Sequence, residues 1–229
     1  MVLEKIPTFS EVQTWANNNF VDAPLGRISR VNANLSWEVL DFSGLDNWSA
    51  RLQTNASATL TGRPRRLKLQ VERGTDDISR IISDVLTTHD SLGAFRITFK
   101  DVSYTKGDVA GMVGIGLREN YNPSDFIQQS AGGDAAIAYY IDSNNDNYFT
   151  STTDYDGVVE QISDIGWGSN HDITIEWDGN DAKLLIDGVL QSSLSHSENA
   201  DYRPVIEIKN YGDGIDDTIE VGEVIVEAL

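Results

Sequence analysis

Apolar and polar residues alternate with a period of two along three stretches of the chain, residues 66–72, 95–100 and 173–178. Leucine, isoleucine, valine and phenylalanine fill most of the apolar positions, and charged or hydroxyl residues fill the others. Successive side chains of a β-strand point to opposite faces of the sheet, so this alternation predicts strands with one buried and one solvated face.

Other short apolar runs, bounded by glycine, asparagine and aspartate, predict further strands and bring the number to about a dozen. The apolar parity changes after Val221, which predicts a β-bulge at Gly222-Glu223, and Asp187-Gly188 is typical of a tight turn between strands. These further strands are Ser36–Phe42, Ser49–Thr54, Met112–Arg118, Ala135–Ile141, Tyr148–Thr153, Val158–Ile162, Lys183–Asp187, Val189–Leu194, Val205–Lys209 and Thr218–Glu227.

Two segments depart from this pattern. Residues 76–86 space their isoleucines and valines as a helix does, which predicts a short helix or an irregular crossover. Near the N-terminus, Thr8 and Glu11 form a capping box. An amphipathic helix is predicted to follow it and to end in a connector containing Pro24 and Gly26. The apolar face of that helix, expected to serve assembly, consists of Phe9, Val12, Trp15 and Phe20.

Many short strands without alternating helices predict an all-β antiparallel sandwich or barrel. The economical division is a helix and connector over residues 1–26 and one sandwich over residues 27–229. So short a helix is marginally stable alone, and its apolar face is expected to be buried against another molecule. That molecule is expected to be a further copy of the chain in a homo-oligomer, or a neighbouring protein.

The net charge of the chain limits the classes of molecule that it can bind. The 36 acidic and 17 basic residues give a net charge of −19, which excludes nucleic acid as a partner because phosphate binding needs concentrated positive charge. Two interpretations of this charge are open, adaptation to high salt and an acidic but otherwise ordinary surface. The longest apolar run, Ala135–Ile141, is too short to insert into a membrane, and residues 1–7 contain no secretion signal.

The segment from His171 to Leu190 resembles the concanavalin A-like (laminin-G-like) jelly rolls, in which a strand ending in Trp precedes a turn and an apolar strand ending in Asp-Gly. Residues 41–52 resemble the first strand and Asn-Trp turn of that superfamily, and residues 221–227 resemble its last strand. The resemblance spans about residues 36–228. It implies a jelly-roll sandwich whose curved sheet, or the loops around it, binds glycans or protein ligands, often with calcium.

A glucanase of this fold would carry its two carboxylates on one strand as Glu-x-Asp-x-Glu, because both must reach one glycosidic bond. The nearest match is Glu176, Asp178 and Asp181, in which a Gly-Asn turn interrupts the strand. The three histidines fall in separate segments, and no serine elbow is present. The sequence therefore predicts no enzymatic activity.

Asp142, Asn144 and Asp146 follow the D-x-N-x-D spacing with which a calcium loop begins. The sixth position is Asn147 instead of glycine, and the twelfth is Thr153 instead of glutamate. Two interpretations remain open, a calcium site and a solvated hairpin turn.

Four tyrosines lie among turn-forming residues, where an aromatic face beside asparagine and aspartate suits a sugar or a protein surface. The alternative is that each packs against its own loop. The four are Tyr121, Tyr155, Tyr202 and Tyr211.

These features together predict a non-enzymatic structural or attachment protein of a virion, such as a capsid decoration, turret or tail appendage, from a virus of a salt-loving host. Its expected partners are further copies of itself, other virion proteins and a host-surface glycan or glycoprotein. A secreted or cell-surface carbohydrate-binding or adhesion module is the alternative. A glycan-active enzyme is a third interpretation, for which the sequence offers no catalytic residues.

Overall fold

The computed structural model describes strands and several of the connections between them. The described residues are 20–21, 27–32, 35–41, 48–52, 56–61, 66–71, 77–83, 94–105, 111–119, 135–142, 144, 146–152, 157–167, 169–197, 202–210 and 217–229.

The described residues form strands and no helix, and among them no segment is a helix long and apolar enough to cross a membrane. The strands are β1 (Phe20–Val21), β2 (Arg27–Asn32), β3 (Leu35–Asp41), β4 (Trp48–Leu52), β5 (Ala56–Thr61), β6 (Arg66–Val71), β7 (Asp77–Ser83), β8 (Phe95–Thr105), β9 (Gly111–Arg118), β10 (Ala136–Ile141), β11 (Asn147–Thr152), β12 (Gly157–Ile162), β13 (His171–Trp177), β14 (Asp181–Ile186), β15 (Val189–Ser195), β16 (Arg203–Asn210), β17 (Asp217–Val221) and β18 (Glu223–Ala228).

These strands build two sheets, and every pairing between them is antiparallel. Sheet 1 has the order β1-β2-β3-β18-β8-β13-β14-β15, with β17, β6 and β5 attached through β8. Sheet 2 has the order β12-β11-β10-β9-β16-β7-β4. The facing sides share one apolar core, in which Phe99 and Ile175 of sheet 1 and Ile115 and Tyr139 of sheet 2 are fully buried. The predicted all-β antiparallel sandwich is confirmed.

Most predicted strands agree with the structure to within a few residues, because their alternation reports directly which face is buried. The burial of β6 and of β17 alternates strictly along each strand. The tight turn predicted at Asp187-Gly188 is also present, with φ of +51° and +78° at the two residues. Two positive φ angles in succession are typical of a type I′ hairpin turn, for which Asp-Gly is a preferred pair.

The helix or crossover predicted for residues 76–86 is wrong, since residues 77–83 form β7. This strand pairs with β16 on one side and with β4 on the other. Ile81 and Ile82 pair with Ile206 and Val205, which are both fully buried. Odd-numbered and even-numbered positions of β7 therefore both pair with apolar residues. The strand lacks the alternation of apolar and polar residues on which a sequence-based prediction depends.

The irregularity predicted at Gly222-Glu223 is confirmed, because Gly222 separates β17 from β18. Its N–H donates to the carbonyl of Lys100 at 2.9 Å, and a Cβ at position 222 would lie 3.2 Å from the Cβ of Asp101. Asp101 itself has a φ of +52°. The break allows one continuous chain segment to pair with β6 and then with β3, while β8 contacts both halves.

The predicted N-terminal helix falls mainly outside the described residues, and so do its residues Phe9, Val12 and Trp15. Phe20, the last residue of the predicted apolar face, lies in β1 and pairs with Arg30 of β2. Its assignment to the helix is therefore wrong, because its backbone belongs to the edge of sheet 1. The division at residue 26 stays a prediction.

Candidate functional site

Two tyrosines stack on the outer face of sheet 2, the face turned away from sheet 1. Tyr140 of β10 and Tyr148 of β11 occupy directly paired positions, with ring centroids 5.1 Å apart and an interplanar angle of 19°. Tyr140 is buried and Tyr148 is half-buried, so Tyr148 forms the solvent side of the pair. The pair packs with Met112, Ala138 and Val205 in a small apolar cluster separate from the core. We call Tyr140 and Tyr148 the tyrosine pair.

The turn between β10 and β11 lies directly beside the tyrosine pair. Asp142 Oδ1 accepts hydrogen bonds from the backbone N–H groups of Asn144 at 2.8 Å and of Asp146 at 2.9 Å. Gln161 of β12 donates through Nε2 to Asp146 Oδ1 at 3.0 Å. The turn therefore presents carboxylate and amide groups at the edge of an aromatic surface.

These hydrogen bonds bear on the calcium loop predicted from Asp142, Asn144 and Asp146. The structure brings the three residues together, but Asp142 Oδ1 already accepts two backbone N–H groups, as in a turn closed by its own aspartate. No group of three or more His, Cys, Asp or Glu side chains able to hold a metal occurs in the part of the chain that the structure describes. The arrangement fits a hairpin turn better than a calcium site.

Both hydroxyl groups of the tyrosine pair stay protonated at neutral pH. Burial, together with the neighbouring Tyr148 and Asp142, raises the pKa of Tyr140 to about 12. The pKa of Tyr148 is also raised, first by desolvation and then by the charges of Asp142 and Asp146. Each hydroxyl is thus available as a neutral hydrogen-bond donor.

Small residues line the centre of this outer face. Gly116 of β9 lies opposite Ala138, and a Cβ at position 116 would lie 2.3 Å from the carbonyl oxygen of Ile137. Gly114 pairs with Tyr140 on one side and with Glu207 of β16 on the other. Because the glycines of β9 have no side chains, the surface between the tyrosine pair and β16 lies close to the backbone of the sheet.

Two charged residues lie at the β9 and β16 side of the same face, and both are shielded from solvent. Glu207 is 0% exposed and Arg118 is 1% exposed. Buried charges are costly unless they are paired, and they mark positions with a specific role more often than surface charges do. The accessible part of the face is therefore its other side, from Tyr148 to Gln161, where the turn and β12 are open to solvent.

Tyr202, predicted to contact a ligand, is fully buried. Its hydroxyl shares a hydrogen bond with His196 Nε2, and the ring of Tyr202 lies 6.1 Å from that of Phe95 in the core. The prediction for Tyr202 is wrong, because the residue anchors the start of β16 to the sandwich interior. Tyr121, Tyr155 and Tyr211 lie outside the described residues.

The carboxylates closest in sequence to a glucanase motif are engaged in structural contacts on sheet 1. Glu176 Oε1 accepts from Arg96 at 2.5–2.7 Å. Asp178 accepts from Lys183 at 2.7 Å and from the backbone N–H groups of the turn that follows. The bond to Lys183, helped by those N–H groups, lowers the pKa of Asp178 to about 2. A carboxyl group so acidic is unsuited to act as a general acid at neutral pH.

A shallow groove of about 450 Å³ crosses the outer face of sheet 1. Thr98 and Thr174 line the middle of the groove and share a hydrogen bond. The Arg96–Glu176 ion pair lines one side. On the other side, Lys100 Nζ lies 2.5 Å from Asp172 Oδ2. These charges neutralise each other across adjacent strands. The groove therefore has the character of a solvated sheet face stabilised by cross-strand pairs.

No protein-family model and no curated protein matches the sequence. Solved structures do match the architecture. A glycoside hydrolase family 16 endo-glucanase from Bacteroides ovatus aligns with a TM-score of 0.62 and 14% identity over 81% of this chain and 98% of that one. The legume lectin-like domain from Entamoeba histolytica aligns at 0.58 with 11% identity over 81% of this chain and 91% of that one.

The carbohydrate recognition domain of Emp47p aligns at 0.53 with 11% identity, over 79% of this chain and 88% of that one. The fold is a concanavalin A-like jelly roll. Both a hydrolase and lectin-type domains share it at similar identity, so the likeness establishes the architecture and leaves the activity to the residues of the site.

Little in the amino-acid sequence indicates the tyrosine pair. The two tyrosines are eight residues apart, and each lies inside a strand, where an aromatic residue is expected to pack in a core. A hairpin register that placed Tyr140 opposite Tyr148 would have predicted the stack, since the short turn at residues 142–146 fixes that register.

Proposed function

We propose that this chain is a carbohydrate-binding protein that holds a sugar against Tyr148, and that it does not cleave glycans. The single observation that carries the proposal is the stacked tyrosine pair beside a turn rich in carboxylate and amide groups. The lectin-type domains that share the fold support this assignment.

The chemistry of the surface suits a pyranose ring. The C–H face of a sugar packs on an aromatic ring, while its hydroxyl groups need donors and acceptors at the ring's edge. Tyr140 packs against Tyr148 from the side of the apolar cluster, which fixes the orientation of the half-buried Tyr148 ring before a ligand arrives. Asp146, Asn144 and Gln161 supply the polar groups around it.

Absence of catalysis is proposed from the strands of the same sheet. A retaining glycosidase needs two carboxyl groups about 5–5.5 Å apart across the scissile bond. Among the described strands of sheet 2, β4, β9, β10 and β11 carry no carboxylate, and β7, β12 and β16 carry one each, namely Asp77, Glu160 and Glu207. Hydrolysis by Glu207 is the second candidate function, favoured by its place on this face and by the glucanases that share the fold.

A virion protein of a salt-loving host is the setting that we propose for this binding. This proposal is supported by the net charge of −19 and by the amphipathic helix predicted near the N-terminus. The solved structures that share the fold provide no evidence for or against it.

Binding can be tested with an array of neutral and acidic glycans, followed by calorimetry on any hit. Tyr148→Ala should weaken binding about tenfold, equivalent to about 1.4 kcal/mol, whereas Tyr148→Phe should retain most of it because the ring is kept. Glu176→Gln, on the other sheet, serves as the matched control and should bind normally. Binding that is equally strong in Tyr148→Ala would refute the assignment of the site.

The same glycans can be used to test catalysis. Release of sugar that disappears in Glu207→Gln would replace the binding proposal with the enzymatic one. Intact glycan after long incubation, together with unchanged binding in Glu207→Gln, would support a purely binding protein.

A further inference from the structure

β12 is the outermost described strand at one end of sheet 2, and it is unusually open. Its backbone pairs with β11 through six consecutive residues without a register shift. Its first five residues, Gly157 to Gln161, are all exposed, and only Ile162 is buried. By contrast, β5, which also pairs on one side only, keeps all its residues half-buried except Thr59. β12 therefore presents an uncovered strand edge to solvent.

Exposed edges normally carry a feature that prevents pairing with another chain, such as a bulge, a proline or a lysine. β15, the outermost strand of sheet 1 on the same side of the sandwich, has such a bulge, because its register with β14 shifts between Leu184 and Leu185. β12 has no bulge, no proline and no lysine, and its one charged side chain, Glu160, is held by a hydrogen bond from Ser192 of β15. Of these two edges, β12 is the one able to accept a further strand.

The two strands β12 and β15 themselves carry little charge. Across β12 and β15 the only charged residue is Glu160, whose Oε2 accepts a hydrogen bond from Ser192 at 2.6 Å. In a chain with a net charge of −19, such a surface is where a second copy meets little repulsion. Four aliphatic side chains on these two strands are 48–62% exposed, namely Val158, Val159, Val189 and Leu190.

We propose that β12 pairs antiparallel with β12 of a second copy of this chain. A two-fold axis perpendicular to the sheet relates the two copies, so the contact closes on itself and gives a dimer. The two seven-stranded sheets then become one continuous sheet. Because the axis is perpendicular to the sheet, the outer faces of sheet 2 in the two copies lie on the same side of the continuous sheet.

This arrangement has a consequence that rests on the proposed function. Tyr148 lies one strand inward from β12, so the Tyr148 rings of the two copies face the same side and are separated by three strand spacings, about 15 Å across the strands. Two sites at such a distance can engage one polymeric glycan together, which raises the apparent affinity without any new contact.

The dimer is tested by sedimentation velocity on the full chain over a range of concentrations, at low salt and at about 2 M NaCl, where repulsion between copies is screened. We expect reversible dimerisation that strengthens with salt. Val158→Lys should weaken it at least tenfold, because a lysine on an edge strand opposes pairing. Val189→Lys on the bulged edge is the matched control, since it adds the same charge at a similarly exposed valine, and it should leave dimerisation within about twofold of the parent.

Hydrogen exchange distinguishes strand pairing from a contact made by side chains alone. Amides of residues 157–162 should become more protected as concentration rises, and those of residues 189–195 should not. A chain that stays monomeric at every concentration and salt level would overturn the proposal, and so would equal weakening by both lysine variants. Because the assay contains no glycan, its outcome is independent of whether Tyr148 binds sugar.

Discussion

His196 Nδ1 lies 2.8 Å from Ser151 Oγ inside the sandwich, where both residues are almost fully buried. The ring's other nitrogen shares a hydrogen bond with the Tyr202 hydroxyl, and the carbonyl of His196 accepts from Trp177 Nε1 at 2.7 Å. Both ring nitrogens face neutral hydroxyl groups, so neither partner stabilises an imidazolium by charge. Burial accordingly lowers the pKa of His196 from 6.5 to about 4.

This burial predicts that acid destabilises the fold. Above pH 6.5 the histidine is neutral in both the folded and the unfolded chain, so it has no effect on the pH dependence. As the pH falls from about 6.5 towards 4, the unfolded chain binds a proton that the folded chain does not, and up to roughly 3 kcal/mol of stability is lost.

The measurement is the urea midpoint as a function of pH for the parent and for His196→Gln. The difference between the two curves isolates this residue from the other titrating groups. The parent should lose more stability than the variant between pH 6.5 and 4. Parallel curves would show that His196 accepts a proton in the folded state at no cost.

His171 predicts the opposite behaviour. Its Nδ1 lies 2.7 Å from Asp187 Oδ2 and its Nε2 lies 3.0 Å from the carbonyl of Gly166, so both nitrogens face acceptors and both carry protons in the charged form. Desolvation opposes that charge, but the hydrogen bonds to Asp187 and Gly166 outweigh it, and the pKa of His171 is raised.

The stability that His171 contributes is therefore present below pH 6.5 and is lost as the pH rises through its folded pKa. NMR titration of the ring should give a pKa above that of a free histidine. Asp187→Asn keeps a residue that tolerates positive φ at the turn but removes the charge, and it should lower that pKa. An unchanged titration curve in Asp187→Asn would contradict the assigned ion pair.

The sequence was most informative where a strand has one buried and one solvated face. Alternation located β6, β8 and β13, and the Asp187-Gly188 pair located a hairpin. The sequence-based prediction failed at β7, because adjacent isoleucines in this strand both pair with apolar residues of β16 and the sequence therefore shows no alternation. That pairing joins residues about 125 positions apart, so no local pattern could reveal it.

The site was less predictable for a related reason. Turn-like surroundings suggested that Tyr202 was exposed, but its hydroxyl meets a buried histidine, a contact that depends on how β16 enters the sheet. Tyr140 and Tyr148 form a surface only once the hairpin register is known. Local composition identifies residue types suited to a sugar, while the register decides which of them come together.

Gly116 predicts a sharp intolerance to a side chain. A Cβ there would lie 2.3 Å from Ile137 O and 2.7 Å from Ala138 Cα, both backbone atoms that cannot move without disturbing the pairing of β9 with β10. Gly116→Ala should lower the free energy of unfolding by at least about 1–3 kcal/mol. The matched control is Gly157→Ala at the open edge, where the nearest atom is the side-chain Cγ2 of Thr152 at 3.0 Å. Urea unfolding should rank the two variants in that order, and an equal loss would contradict the close approach.

The net charge of −19 predicts that salt stabilises the fold. Self-repulsion of a compact acidic chain is relieved when the screening length shrinks from about 10 Å at 0.1 M salt to about 3 Å at 1 M. Cross-strand pairs such as Arg96–Glu176 weaken under the same conditions, but exposed pairs contribute little to stability, so the repulsion between the many acidic groups dominates. The melting temperature should therefore rise between 0.1 and about 2 M NaCl, with most of the gain below about 1 M.

Sucrose of matched osmolality provides the control, since it favours compact states by exclusion from the protein surface without screening charge. A larger rise in NaCl than in sucrose identifies screening as the cause. Equal rises in the two solutes, or a flat curve in NaCl, would show that the acidic surface is not under electrostatic strain and would remove the main argument for a high-salt environment.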